Sequence, residues 1–230
     1  MTRTCATVRR ARPLLGTLVE IRISGPAGSA ERALERAFGA IERVHRSMSA
    51  QESTSDIARL RAGHRVALDP WTRRVLERAA EIQAASDGLF DCEACDYELD
   101  GIAKGFAVDR AVDCLQSAGM AAGSVNAGGD LRLFGERFEE IYVRPPSTPQ
   151  RLLAIGRMRD AAIATSAAAL LVDPRRRAGH PRVRGVTVVA PDCTVADALT
   201  KPCMLEPGRA RELAARFGAE VAFLDAGPLP

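Results

Sequence analysis

The residues of this chain best suited to chemistry lie in two glycine-containing runs, DGIAKG at residues 100–105 and NAGGD at residues 126–130. In the first run, Gly101 and Gly105 would let a ligand approach the backbone, and Lys104 would place a positive charge in the first turn of a helix. The free N–H groups of a helix start bind phosphate oxygens. The two runs together predict a site for a phosphorylated ligand.

Neither run has the spacing of a Walker P-loop or of a dinucleotide-binding G-x-G-x-x-G motif. A plain turn between a strand and a helix also explains DGIAKG, and the glycines of NAGGD also fit a hairpin turn without a ligand. Taken by itself, each run therefore leaves a structural and a functional interpretation open.

A third run, VADALTK at residues 195–201, carries polar groups at helical spacing. Asp197, Thr200 and Lys201 would project from one helical face at i, i+3 and i+4. Carboxylate, hydroxyl and carbonyl oxygens are ligands that Mg²⁺ accepts. The same spacing also fits an ion pair between Asp197 and Lys201 within the helix, so both interpretations stay open.

Cysteine spacing raises a different possibility, because Cys92 and Cys95 form a C-x-x-C pair. Such a pair can be a redox site or half of a zinc site, and Cys193 and Cys203 are its candidate partners. Those two residues are not themselves a close pair, and no histidine stands near them in the sequence. We expect free thiols, with a thiol-based redox or metal-binding module as the alternative.

The elements that must position these residues follow from apolar periodicity. Helical spacing predicts helices at 29–48, 70–86, 104–118, 196–205 and 207–217. Apolar runs of strand length, separated by turn residues, predict strands at 15–24, 122–125, 131–134, 140–143, 152–155, 161–164, 186–190 and 220–224. Because these elements do not alternate strictly, we predict an α+β fold with layered strands and flanking helices.

Composition narrows the class of protein further. The length of 230 residues fits one domain over 1–230, and 47% hydrophobic residues are enough for a sizeable core. The charges, 32 basic against 29 acidic residues, do not call for a nucleic acid or a membrane surface as partner. Without an apolar run of signal-peptide or membrane-span length, we expect a cytoplasmic protein with no membrane insertion.

Taken in order, the motifs resemble those of the ApbE family, the FAD:protein FMN transferases. The similarity extends over nearly the whole chain and rests on several motifs rather than on one. These are RPLLGTLVEI at 12–21, SDGLFD at 86–91, DGIAKGFAVD at 100–109, NAGGD at 126–130, ATS at 164–166, DPR at 173–175 and VADALTK at 195–201.

This resemblance implies transfer of FMN from FAD to a Thr or Ser hydroxyl of an acceptor protein, with Mg²⁺ as cofactor and AMP as product. Asp197 and Lys104 are the implied catalytic residues. The implied metal ligands are Asp197, the backbone carbonyl of Ala103, Thr200 and Lys201. The implied flavin-nucleotide site consists of Asp100, Gly101, Ile102, Lys104, Gly105, Asn126, Gly128, Gly129, Asp130 and Thr165.

The chain departs from the family pattern at three places. The segment 92–99 is short. The segment 167–172 is also short, and within it Leu170 stands where the family has a histidine. Lys201 stands where the family commonly has a threonine. Two alternatives with the same fold are therefore kept: a flavin-binding relative without transferase activity, and a hydrolase that converts FAD to FMN and AMP.

Overall fold

The computed structural model describes residues 5–65, 67–167, 171, 173–175 and 183–224. These residues form nine strands and six helices. The strands are β1 (Cys5–Leu14), β2 (Thr17–Pro26), β3 (Ala122–Ala127), β4 (Asp130–Phe134), β5 (Glu139–Val143), β6 (Leu153–Met158), β7 (Ala162–Ala167), β8 (Gly185–Ala190) and β9 (Glu220–Leu224). The helices are α1 (Ala27–Met48), α2 (Asp56–Arg61), α3 (Pro70–Ala85), α4 (Ala103–Ser117), α5 (Cys193–Leu205) and α6 (Ala210–Arg216).

Seven strands form one antiparallel sheet in the order β1-β2-β3-β4-β7-β8-β9. Helices cover one face of it: α1 contacts β1 and β2, α4 contacts β3 and β4, α5 contacts β7 and β8, and α6 contacts β9. The small β5–β6 sheet packs on the other face, where Leu133, Ile141 and Ile163 form a second cluster. The predicted α+β layered fold is therefore confirmed.

The sequence patterns missed two elements, the short helix α2 and the strand β1. Strand β1 pairs with β2 through a tight turn at Leu15 and Gly16, whose φ angles of 54° and 68° suit a two-residue hairpin. The predicted strand start at Leu15 is thus wrong, because Leu15 lies in this turn. The sequence pattern does not show this strand, because its exposed charged residues interrupt the apolar run. These charges pair with glutamates of β2 and α1: Arg9 with Glu20, Arg10 with Glu31 and Arg12 with Glu35.

The other predicted helices and strands are confirmed, with ends displaced by a few residues at most. One displacement matters for function, because α5 begins at Cys193 and takes all of VADALTK into the helix. Asp192 starts this helix by accepting a hydrogen bond from the Val195 N–H at 2.8 Å. Among the described residues, no helix combines the length and the apolar character that crossing a membrane requires.

Candidate functional site

Helices α4 and α5 stabilise each other's first turns through two buried carboxylates. Asp197 of α5 accepts a hydrogen bond from the Gly105 N–H of α4 at 3.2 Å. In return, Asp109 of α4 accepts bonds from the backbone N–H groups of Cys193 and Thr194, at 2.9 and 2.8 Å. Negative charge at a helix start is favourable, so each helix fixes the other's position. This packing brings the runs DGIAKG and VADALTK together.

Gly105 is required by this packing rather than by space for a ligand. A Cβ atom at Gly105 would lie 2.2 Å from the backbone oxygen of Cys193. The expected close approach is therefore to α5, which corrects its expected role in admitting a ligand. Ile102 is likewise fully buried in the hydrophobic core, so its side chain is not exposed to a bound nucleotide.

Two lysine–carboxylate pairs form the charged centre of the site. Lys104 Nζ lies 2.6 Å from Asp130 Oδ2, and Lys201 Nζ pairs with the carboxylate of Asp197. The carboxylates are buried, at 3% and 1% side-chain exposure, whereas the lysines retain 34% and 20%. The ammonium groups are therefore the parts of this cluster that a ligand can reach.

The proximity of these groups changes their pKa values. Burial, followed by the negative charge of Asp197, raises the pKa of Asp130 to about 6. Burial lowers the pKa of Lys104, but the carboxylates of Asp197 and Asp130 outweigh this effect and raise it overall. Burial and the charge of Glu98 raise the pKa of Asp100. Lys104 is consequently cationic at neutral pH, as phosphate binding requires.

Two cavities lie on either side of the turn at Asp100 and Gly101. The larger, of about 710 Å³, is lined by Gly101, Lys201 and much of the segment 89–98. The smaller, of about 350 Å³, is lined by Asp100, Ala103, Lys104 and the β1–β2 turn. Each of the two site lysines therefore borders a different cavity. The short segment 92–99 forms a wall of the larger one.

The NAGGD run is a hairpin turn that places Asp130. Gly128 and Gly129 have φ angles of 66° and 108°, which side chains rarely adopt. Asn126 stabilises the turn by accepting a hydrogen bond from the Gly129 N–H at 3.0 Å. These three residues shape the turn, and Asp130 at its end reaches Lys104. The turn thus acts on the site through one carboxylate.

Thr165 lies on the opposite face of the sheet from α5, so the packing of α4 and α5 does not bring it to the lysine cluster, and its place in the flavin-nucleotide site stays a prediction. Its hydroxyl bonds that of Thr187 at 2.9 Å. Its neighbour Ser166 instead reaches the hydroxyl of Thr200 on α5, also at 2.9 Å. Alternation along β7 explains this, because Ala164 packs in the core beneath the helices and Ser166 shares its face.

Asp109 is a second residue whose importance the sequence patterns missed. Besides its bonds to α5, it pairs with the guanidinium of Arg132 at 2.5 Å. It is 2% exposed. The available signal was its position four residues after Gly105, which puts a carboxylate on the same buried face of α4. Leu170, which stands at the family's histidine position, lies outside the described residues.

The expected metal ligands do not fit a divalent cation in this arrangement. One carboxylate oxygen of Asp197 accepts from Gly105 and the other from Lys201. The Asp197 carbonyl accepts from Thr200 at 2.7 Å and from Lys201 at 3.0 Å. A protonated lysine has no lone pair to offer a metal. Across the described ranges, no three His, Cys, Asp or Glu side chains meet in a metal-binding group.

The three buried cysteines of the described residues, Cys92, Cys193 and Cys203, are not reactive thiols. Cys92 is buried, and burial raises its pKa to about 12, so it is a neutral thiol at physiological pH. Burial also raises the pKa of Cys193 and of Cys203, both of which lie in α5 within the core. Neutral, buried thiols are poor nucleophiles and poor metal ligands. The thiol-based alternative therefore has no support from the geometry.

Comparison with known proteins places these observations in a family. The model of the ApbE family matches residues 15–97 and 93–224. Flavin transferase ApbE from Vibrio cholerae has a similar structure, with a TM-score of 0.82, 22% identity, and coverage of 96% of this chain and 94% of that chain. Flavinyl transferase ApbE from Pseudomonas stutzeri is also similar, with a TM-score of 0.82, 19% identity, and coverage of 97% of this chain and 92% of that chain.

The ApbE protein from Thermotoga maritima is also similar, with a TM-score of 0.80, 23% identity, and coverage of 98% of this chain and 96% of that chain. At these identities the structural likeness shows a shared fold. A search of curated proteins found no significant match. The family model covers well over half of the sequence and agrees with the fold, so the chain belongs to the ApbE family.

Proposed function

We propose that this chain transfers an FMN group from FAD to a Thr or Ser hydroxyl of an acceptor protein and releases AMP. The observation that carries the proposal is the pair of half-buried lysines, Lys104 and Lys201, each of which borders one of two cavities beside the turn at Asp100 and Gly101. Membership of the ApbE family supports it, as do the structural relatives named flavin transferases.

FAD has the shape and charge that this site suits. It is a dinucleotide with two bulky ends joined by a diphosphate. The two cavities suit the two ends, and the turn at Asp100 and Gly101 suits the diphosphate between them. The ammonium groups of Lys104 and Lys201 would neutralise the phosphate oxygens there.

In the proposed step, the acceptor hydroxyl oxygen forms a bond to the phosphorus on the FMN side. The bond between that phosphorus and the bridging oxygen breaks, AMP leaves with the bridging oxygen, and the hydroxyl proton goes to water. Charge builds on the phosphoryl and leaving oxygens as this happens, and preorganised cations stabilise it. Lys104 and Lys201 would supply that charge. No step is assigned to Mg²⁺, because the oxygen atoms of Asp197 are already bonded.

The test is direct detection of a covalent flavin. The purified protein is incubated with FAD and a flavin-acceptor domain, with Mg²⁺ and separately with EDTA, and flavin fluorescence is read on a denaturing gel. We expect a fluorescent acceptor band and equimolar AMP. Free FMN without a labelled acceptor would indicate hydrolysis, and FAD binding without either product would indicate a non-transferring relative. Both results would contradict the proposal.

A pair of variants tests the role of the site lysine. Lys104→Ala removes the ammonium group, so we expect transfer to fall by about two orders of magnitude or more, the usual effect of losing one charge-stabilising group. Arg209→Ala removes a surface cation that pairs with Asp87 and lines neither cavity, so it should transfer normally. Equal effects of the two substitutions would contradict the assigned role.

A further inference from the structure

Lys201 holds the position that a bound cation would need beside Asp197. Its Nζ contacts one carboxylate oxygen of Asp197 and lies 3.0 Å from the Asp197 carbonyl. The remaining carboxylate oxygen is bonded to the Gly105 N–H. The ammonium group of Lys201 thus contacts both the backbone carbonyl of Asp197 and the carboxylate oxygen that is not bonded to Gly105.

Lys201 is built into the site rather than resting on its surface. Its side chain is only 20% exposed and runs along Gly101, where a Cβ atom would lie 3.0 Å from Lys201 Cε. Because residue 101 is a glycine, the turn leaves room for the side chain of Lys201.

We propose that the ammonium group of Lys201 replaces the divalent cation that the family resemblance implies, so that this chain has a lysine-based, metal-independent site. A divalent cation at Asp197 would lie against the positive charge of Lys201, and like charges in contact repel each other strongly near a protein surface, where water screens them only in part. Lys201 already supplies the charge that neutralises Asp197. The catalytic part of this inference rests on the proposed function, whereas the metal-binding part does not.

Metal binding can be measured without any substrate. Mn²⁺, which is paramagnetic and a stand-in for Mg²⁺, is titrated into the intact wild-type protein and followed by electron paramagnetic resonance. We expect no saturable site in the wild type. In Lys201→Thr the cation is removed and a hydroxyl is added, so we expect a saturable Mn²⁺ site to appear, with binding at least about tenfold tighter than any binding to the wild type.

Arg216→Thr is the matched control. Arg216 also forms an i,i+4 ion pair on a helix, with Glu212 at 2.8 Å, but this pair is exposed on α6. The control should therefore gain no Mn²⁺ site. The wild-type titration remains decisive even if Lys201→Thr does not fold, because a saturable wild-type Mn²⁺ site that Asp197→Asn abolishes would overturn the inference.

The flavin assay gives a second readout. Metal-independent transfer predicts equal rates for the wild type in Mg²⁺ and in EDTA, and loss of transfer in EDTA would overturn the inference. If no transfer occurs under either condition, the proposed function fails, and the Mn²⁺ titration still decides the metal-binding part. The two ideas can thus fail separately.

Discussion

Replacing Gly105 by alanine should damage this protein, although the same change usually stabilises a helix. The new Cβ would lie 2.2 Å from the Cys193 oxygen and 2.9 Å from Asp197 Cβ. The first contact involves backbone, which cannot rotate away. To reach an ordinary contact, α4 and α5 must separate by about 1 Å, and overpacking of this kind costs about 1–3 kcal/mol.

Two further effects set the net magnitude. Separation weakens the Gly105 N–H bond to Asp197, which is worth about 1.5 kcal/mol or more because its acceptor is charged. Alanine regains up to about 1 kcal/mol of helix propensity. The expected net loss in the free energy of unfolding is therefore about 2 kcal/mol, measured by urea denaturation. Transfer should fall further than this loss explains, because Lys201 moves with α5.

Gly39→Ala provides the control for this prediction. Gly39 also lies within a helix, but on the exposed side of α1, and a Cβ there meets nothing within 4 Å. That substitution should raise the free energy of unfolding by about 0.5–1 kcal/mol. If the two alanine variants change stability in the same direction, the proposed clash between α4 and α5 does not exist.

Three further outcomes follow from the buried polar groups. Asp109→Ala should lower the free energy of unfolding by about 3 kcal/mol, because it leaves the Arg132 charge and the N–H groups at the start of α5 without their acceptor. A loss under about 1 kcal/mol, measured by urea denaturation, would contradict this. For Asp130, a pKa of about 6 against an ordinary 3.8 means that the folded state holds its proton longer, so its contribution to stability decreases as pH rises from about 4 to 6. Asp130→Asn should remove this decrease in the free energy of unfolding between about pH 4 and pH 6, as denaturation curves at several pH values would show. An unchanged pH dependence would contradict the assignment to Asp130. Finally, Cys92 should escape iodoacetamide at pH 8 in the native protein but react after unfolding, as peptide mass spectrometry would detect; rapid native labelling would show that its thiol is not protected.

Local sequence patterns predicted most of the fold correctly. The helices α1, α3 and α4 have apolar residues at helical spacing, and the strands have short apolar runs between turn residues. These patterns depend only on residues that are close together in the chain, so they can be recognised without knowledge of the tertiary structure. The edge strand β1 was missed because its charged residues are satisfied by β2 and α1, which the local pattern does not include.

The candidate site was only partly predictable. The order of the motifs indicated that DGIAKG, NAGGD and VADALTK belong together, and α4 and α5 do bring Gly105 and Asp197 into contact. The sequence did not indicate that Ser166, rather than Thr165, faces α5, because strand orientation depends on which face is covered. It also did not indicate the buried role of Asp109, whose partners lie far away in the chain.

By itself, the sequence determined most of the helices and strands and the family, because periodicity and motif order are properties of the chain. Only the tertiary structure decided what the polar residues contact. Lys104 pairs with Asp130 across a hairpin, and Lys201 fits over Gly101 because two helices pack side by side on one sheet. Within VADALTK the spacing allowed either a metal site or an ion pair at Asp197. Packing favours the ion pair, since it buries that carboxylate with its oxygens already bonded.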